Sequence, residues 1–258
     1  MSNEFKNEWA IILGGSSGLG LASAKKLATR GMNICIVHRD RKVEAGTFSS
    51  EIDAMQEMGV TVRTFNRDAL KPETLAEVVS EIPKNSVKLL LHSIAKGSVK
   101  PLLNSDGDQL SKEDFNITIN AMGLSWLDWT QALINGDCFV SKARNMAFTS
   151  EGNTKALRHY GAVSAAKATL EALMRQMAVE YAPLGMSTNC IQAGVTRTKS
   201  FDRIPGSEQI AKFAQQRNPF QKLTTPEDVA NAVYLLCKKE AQWVNGTVFK
   251  VDGGESLR

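Results

Sequence analysis

The sequence contains no cysteine pair at redox or metal-binding spacing. Its four cysteines, Cys35, Cys138, Cys190 and Cys237, lie far apart. That argues against a disulfide framework or a zinc site and for buried, reduced thiols in a cytoplasmic protein. No apolar run approaches the roughly 20 residues of a membrane span. The first eight residues, Met1 to Glu8, lack the apolar stretch of a secretory signal. There is no internal repeat, low-complexity tract or Pro/Gly-rich linker. Charge of one sign is scarce too: 31 Lys and Arg against 27 Asp and Glu leave +4, spread evenly. That is too little for a dedicated nucleic-acid binder. No metal, membrane or nucleic-acid partner is therefore expected.

What is present is the composition of a globular protein, 258 residues with 43% hydrophobic and 22% charged. This length supports a core without disulfides or metal, in one large α/β domain or two small ones. Short apolar runs alternate with helical patterns from end to end. Strands are predicted over 9–13, 33–37, 60–65, 87–91, 145–148, 186–191 and 247–251. Helices are predicted over 18–29, 48–58, 72–82, 112–134, 160–181 and 228–237. Buried strands of about five residues between longer helices imply a parallel sheet covered on both faces. With right-handed crossovers this becomes a single doubly wound, Rossmann-like α/β domain over residues 1–258, with a mostly parallel seven-stranded sheet.

The first strand runs into Gly14-Gly15-Ser16-Ser17-Gly18-Leu19-Gly20, and a helix follows at once. Gly14 permits a sharp turn. Gly18 clears the backbone for a pyrophosphate, and Gly20 lets the helix pack closely on the sheet. The helix N-terminus offers free N–H groups and a positive dipole end. Strand, glycine cluster and helix in this order are the context of dinucleotide binding. The spacing G-x3-G-x-G resembles the turn of the short-chain dehydrogenase/reductase family, with Leu13 where that family usually has Thr.

That resemblance implies a set of cofactor contacts: Gly14, Ser16, Ser17, Gly18, Leu19 and Gly20 in the turn, and Ser93, Ile94 and Ala95 after the fourth strand. His38 stands where an NAD enzyme usually has its ribose-binding carboxylate, and Arg39 follows. A guanidinium suits a 2′-phosphate, so NADPH is the expected cofactor, although Asp40 next door weakens that choice. Asn66-Arg67-Asp68-Ala69 resembles the adenine-contacting element and places Asp68 and Ala69 there. Asn189 to Thr198 resembles the segment that holds the carboxamide and a phosphate through Gly194, Val195, Thr196 and Thr198, with Ala193 replacing the usual Pro. Asn120 matches the family's helix Asn, and Gly246 to Gly254 its closing strand and turn.

Two features point to one branch. His92-Ser93-Ile94-Ala95 resembles the fourth-strand end of enoyl-acyl-carrier-protein reductases. Carbonyl-reducing members carry Tyr-x3-Lys with a Ser 17 residues before the Lys. Here Ser150 and Lys167 keep that register, but the position four before Lys167 is Val163, and Tyr160 stands seven before it. Tyr-x6-Lys is the spacing of the enoyl reductases. The displacement has a chemical reason. Hydride delivery to the β-carbon of an enoyl thioester puts negative charge on an oxygen two carbons away, and the donor must sit where charge develops. Three residues along a helix is about 4.5 Å. Many enoyl reductases have a second Tyr ten residues upstream. Ser150 at that position resembles the NADPH-dependent FabL type.

The resemblance thus implies Tyr160, Lys167 and Ser150 as catalytic residues. Lys167 would hold the nicotinamide ribose and lower the phenol's pKa. The substrate would be an enoyl thioester on acyl carrier protein, and the assembly a homotetramer. Residues 199–222 read as an irregular substrate lid, with a helix packed on the body as the alternative. Ile204, Ile210, Phe213 and Phe220 could wall an acyl channel. Lys199, Arg203, Lys212 and Arg217 could meet an acidic carrier, or simply be solvated. A carbonyl reductase with a displaced Tyr and a non-catalytic NADP-binding interaction protein are the competing readings.

Overall fold

The computed structural model describes residues 3–40 and 45–258. Seven strands form one sheet in the order β3-β2-β1-β4-β5-β6-β7. They are β1 (Trp9–Leu13), β2 (Asn33–His38), β3 (Val62–Asn66), β4 (Val87–His92), β5 (Phe139–Thr149), β6 (Ser187–Ala193) and β7 (Val248–Val251). The helices are α1 (Gly18–Ala28), α2 (Ala45–Gln56), α3 (Pro72–Glu81), α4 (Lys112–Ile119), α5 (Ser125–Asn135), α6 (Gly161–Glu180), α7 (Ser207–Arg217) and α8 (Pro226–Cys237). Every strand pair is parallel, so the sheet is wholly, not mostly, parallel.

Strand β1 is apolar and buried throughout because both its faces are covered. Ala10 and Ile12 of β1 pack with Ala24 and Leu27 of α1, Phe48 and Met55 of α2 and Val229 and Val233 of α8. The alternate residues Ile11 and Leu13 pack on the other face with Val78 of α3, Trp126, Trp129 and Leu133 of α5, and Leu170, Met174 and Met177 of α6. Period-two alternation between two apolar layers makes the fold doubly wound. Strand order reverses between β1 and β4, and the crevice at their carboxyl ends is where such sheets bind ligands.

Two departures from the sequence pattern matter for the site. The helix expected over 112–134 is broken by a π turn at Asn120–Leu124. There the Ser125 N–H reaches back to the Asn120 carbonyl. The Ser125 hydroxyl donates to Ala121 O at 3.0 Å and meets His92 Nε2 at 2.9 Å. An extra residue in one turn leaves the apolar pattern on both sides intact, so periodicity does not reveal it. The stretch 199–222, expected to be irregular, contains α7. Gly206 caps it in the left-handed region at φ +78°, and Pro205 and Pro219 lie just outside the helix. No described helix is long and apolar enough to cross a membrane, and all four cysteines are buried and free.

Arg144 of β5 is buried at 1% exposure. Its guanidinium donates to the carbonyls of Leu236 (2.8 Å), Lys142 (3.0 Å) and Lys238 (3.0 Å) and to Gln242 Oε1 (3.1 Å). It thereby satisfies carbonyls at the end of α8 that the helix leaves unpaired. Arg144→Met strands those acceptors out of reach of water. The expected loss is about 2–4 kcal/mol of unfolding free energy, read as a lower urea midpoint. A midpoint unchanged from wild type overturns this account of Arg144.

Candidate active site

The glycine turn sits at the switch point. Gly14 has φ +83°, and a Cβ there would lie 2.7 Å from Ser93 O, so only glycine allows β1 and β4 to end this close together. A Cβ on Gly20 would meet Gly14 O at 2.5 Å. Gly18 faces Thr198: a Cβ on Gly18 would be 3.3 Å from the Thr198 methyl. Thr198 Oγ1 accepts from Phe201 N–H at 3.1 Å, which leaves its own proton available. The N-cap Ser17 makes no side-chain cap bond, and the first turn of α1 has no acidic residue. Its dipole end is thus left for an external anion. Ser93 is placed as a buttress: its N–H donates to Leu13 O at 2.8 Å, and Ile94 packs against the α3/α5/α6 core. This cradle fits a dinucleotide pyrophosphate.

At the adenosine end, the Arg39 guanidinium is paired with Asp68 Oδ2 at 3.0 Å, and Lys96 approaches the same carboxylate at 3.8 Å. Ala69 O accepts from Trp129 Nε1 at 2.8 Å, and Leu70 N–H donates to Asp68 Oδ1 at 3.1 Å. The Asp68–Ala69 turn is therefore held from both sides. Asp40 reaches back to the side chain of Ser16 in the glycine turn. It accepts from Ser16 Oγ at 2.9 Å and pairs with His38 Nδ1 at 2.9 Å. Burial lowers the His38 pKa, against the pull of Asp40.

At the other end stand the residues in catalytic register. Tyr160 is the N-cap of α6, so it precedes the helix proper. Its hydroxyl lies 3.3 Å from Ser150 Oγ. A Cβ on Gly152 would overlap the Tyr160 ring, so the Ser150–Gly152 segment holds that ring in place. Lys167 is buried two turns along α6, and its ammonium donates to Phe148 O at 2.6 Å. Desolvation lowers its pKa from 10.5 to about 8. The Tyr160 pKa is raised by burial, with the Ser150 hydrogen bond opposing. The expectation that the phenol's pKa is lowered is thus corrected: burial raises it, and the opposing influence is Ser150, not Lys167. Val163, four before the lysine, is buried at 5% exposure among Ala121, Met122 and Ala166. His92 is fully buried, with Nδ1 unpartnered and a pKa lowered to about 3 by desolvation.

On the carboxamide side, Gly194 N–H donates to Val251 O at 3.1 Å. Val195 N–H donates to Glu255 Oε2 at 3.0 Å, and Thr196 Oγ1 to Gly194 O at 2.9 Å. The Val195 amide is therefore already used within the protein. Glu255 was not singled out in the sequence, nor was Glu151; both carboxylates pair with Arg217. Arg217 is thereby withdrawn from the cations suggested for an acidic carrier. No spacing signals this cluster, since its members are 66 and 38 residues apart. Of the residues suggested for the channel wall, Phe213 and Phe220 are largely exposed. Phe220 packs against Gly253, and the Phe213 ring lies under the Arg217 guanidinium. Leu102, which was not singled out in the sequence, packs over the Gly161 backbone, next to Tyr160, and is 70% exposed.

Residues 14–256 match the family described as Enoyl-(Acyl carrier protein) reductase. Among curated proteins the chain is similar to 2-(S)-hydroxypropyl-CoM dehydrogenase 3 of Xanthobacter autotrophicus, at 27% identity over 98% of each chain. It is also similar to Enoyl-[acyl-carrier-protein] reductase [NADH] FabI of Aquifex aeolicus, at 30% identity over 66% of this chain and 62% of that one. Among solved structures, the enoyl-[acyl-carrier-protein] reductase (NADH) from Aquifex aeolicus VF5 superposes with a TM-score of 0.84 at 22% identity, covering 98% of each chain. That likeness bears on the fold.

Because Lys167 has a folded-state pKa of about 8 against an ordinary 10.5, the unfolded chain binds more protons between those values. Stability from this residue therefore rises with pH across that window, as the cost of burying the charge is relieved. In Lys167→Met the rise is expected to disappear. The difference in unfolding free energy between wild type and variant, measured from pH 7 to pH 11, checks this. A difference independent of pH overturns it.

Proposed function

The chain belongs to the short-chain dehydrogenase/reductase family, and from that premise we propose that it is an NADPH-dependent enoyl-acyl-carrier-protein reductase of the FabL type, which saturates the trans-2 double bond of an enoyl thioester in fatty acid synthesis. That it is an oxidoreductase with a nicotinamide cofactor follows from the family and the fitted cradle. The finer reading rests on one observation: the phenol stands at the N-cap of α6, seven residues before the buried Lys167, while the position four before it is a core valine.

The bound cofactor supplies the hydride. The protein's part is to meet the charge that develops. Tyr160, with its pKa raised by burial, is a neutral hydrogen-bond donor at neutral pH and suits an oxyanion on the thioester oxygen. Ser150, within reach of the phenol, orients that hydroxyl. Lys167 would hold the nicotinamide ribose hydroxyls through the donors it does not spend on Phe148 O. Leu102 offers an apolar edge beside Tyr160 for an acyl chain. One observation favours a second reading, reduction of a ketone: the Ser150–Tyr160 pair at 3.3 Å is also a pair that could serve a carbonyl oxygen directly.

Crotonyl and acetoacetyl thioesters assayed side by side separate the two. The expected outcome is faster turnover of the crotonyl thioester, with Tyr160→Phe lowering kcat by about 10²–10³-fold. Faster turnover of the acetoacetyl thioester replaces the proposal by the second reading. For the cofactor, Arg39→Ala is expected to raise KM for NADPH about tenfold, by removing a charge-assisted contact, and to leave NADH nearly unchanged. A wild type that prefers NADH would instead point to Asp40, the carboxylate next to Arg39, which disfavours a 2′-phosphate.

A further inference from the structure

Arg217, the last residue of α7, lies at the centre of a charge cluster that joins three parts of the chain. Its Nη2 donates to Glu255 Oε1 at 2.5 Å and also to Glu151. Lys155 Nζ lies 3.1 Å from Glu151 Oε2. Two cations and two carboxylates make the cluster neutral. The Glu255 side chain is 2% exposed and that of Arg217 10%. A carboxylate so deeply placed is tolerated only when paired, and its nearest cation comes from α7.

Both carboxylates are attached to the reacting end of the site. Glu151 follows Ser150 directly, within the segment whose Gly152 abuts the Tyr160 ring. The other oxygen of Glu255 accepts from Val195 N–H. That bond leaves the Thr196 amide as the N–H of this turn with no partner among the described residues. The end of α7 is anchored independently: Asn218 Nδ2 donates to Asp252 O at 2.9 Å. The guanidinium therefore sits at fixed height between the Ser150 segment and the 194–196 turn.

We propose that Arg217 is a positioning residue for the nicotinamide half of the cofactor. It acts through Glu255 on the Val195–Thr196 turn and through Glu151 on the Ser150 segment. The inference rests on the nicotinamide-cofactor reading of the site and is independent of whether the substrate is an enoyl thioester or a ketone. Without the guanidinium, Glu255 turns toward water and releases Val195 N–H, and the turn loses its register. The adenosine half binds elsewhere, at Gly14–Gly20 and Arg39, and does not feel the change.

The test is calorimetric binding to the full-length protein. One ligand is NADPH or NADH, whichever wild type binds more tightly. The other is the matching fragment without nicotinamide, 2′-phospho-ADP-ribose or ADP-ribose. Arg217→Met is expected to weaken the whole nucleotide about tenfold and the fragment by less than about twofold. Arg217→Lys keeps the charge but not the two-pronged geometry, and recovers part of the loss. Should Arg217→Met fail to fold by circular dichroism, Glu255→Gln carries the test. Its single amide oxygen cannot serve Val195 N–H and the guanidinium as two carboxylate oxygens do, and the same selective loss is expected. Equal loss for nucleotide and fragment, or no loss, in folded variants overturns the proposal. No substrate enters the assay, so a failure of the enoyl reading would leave this result intact.

Discussion

The bond from the Lys167 ammonium to the carbonyl of Phe148, at 2.6 Å, holds the reacting end of this protein together. It fastens α6 to β5 two residues before Ser150. A helix is stiff along its axis, so fixing it at Lys167 also fixes Tyr160 at its start. The phenol then falls beside Ser150 without any direct bond between Tyr160 and Lys167. The buried ammonium is desolvated and its pKa lowered, but one strong acceptor makes the burial tolerable.

Desolvation pushes both reacting groups toward their neutral forms, the lysine down and the phenol up. A neutral phenol is a donor, and a donor is what an oxyanion needs. On the proposed reading, hydrogen bonding at the oxygen is favoured over a preformed phenolate. The same economy of charge recurs at the Arg217 cluster, where the buried Glu255 and the partly buried Glu151 are balanced by two cations, and at Asp40, which is satisfied by Ser16 and His38. In each place a group that would be costly alone is held by partners from distant segments.

Much of the architecture could be read before the structure. Five-residue apolar runs such as Trp9–Leu13 and Val87–Leu91 mark strands buried on both faces, and the glycine turn after β1 marks the switch point. The starts of α3 and α8, expected at 72 and 228, fall at Pro72 and Pro226. The π turn at Asn120 was not legible, because an added residue between two amphipathic halves disturbs neither. Helix α7 was legible only as an alternative to an irregular lid, because Pro205, Gly206 and Pro219 flank it so closely.

The residue order by itself determined the doubly wound sheet, the glycine cradle, and a tyrosine seven residues before a lysine with a serine 17 before it, since each depends on neighbours within one element or turn. Tertiary structure alone decided that the lysine faces a sheet carbonyl and not the phenol, that Val195 is already bonded to Glu255, and that Arg217 is buried between two acids. Those outcomes depend on distances between segments that the chain separates by tens of residues, and they are set only when both faces of the sheet are packed.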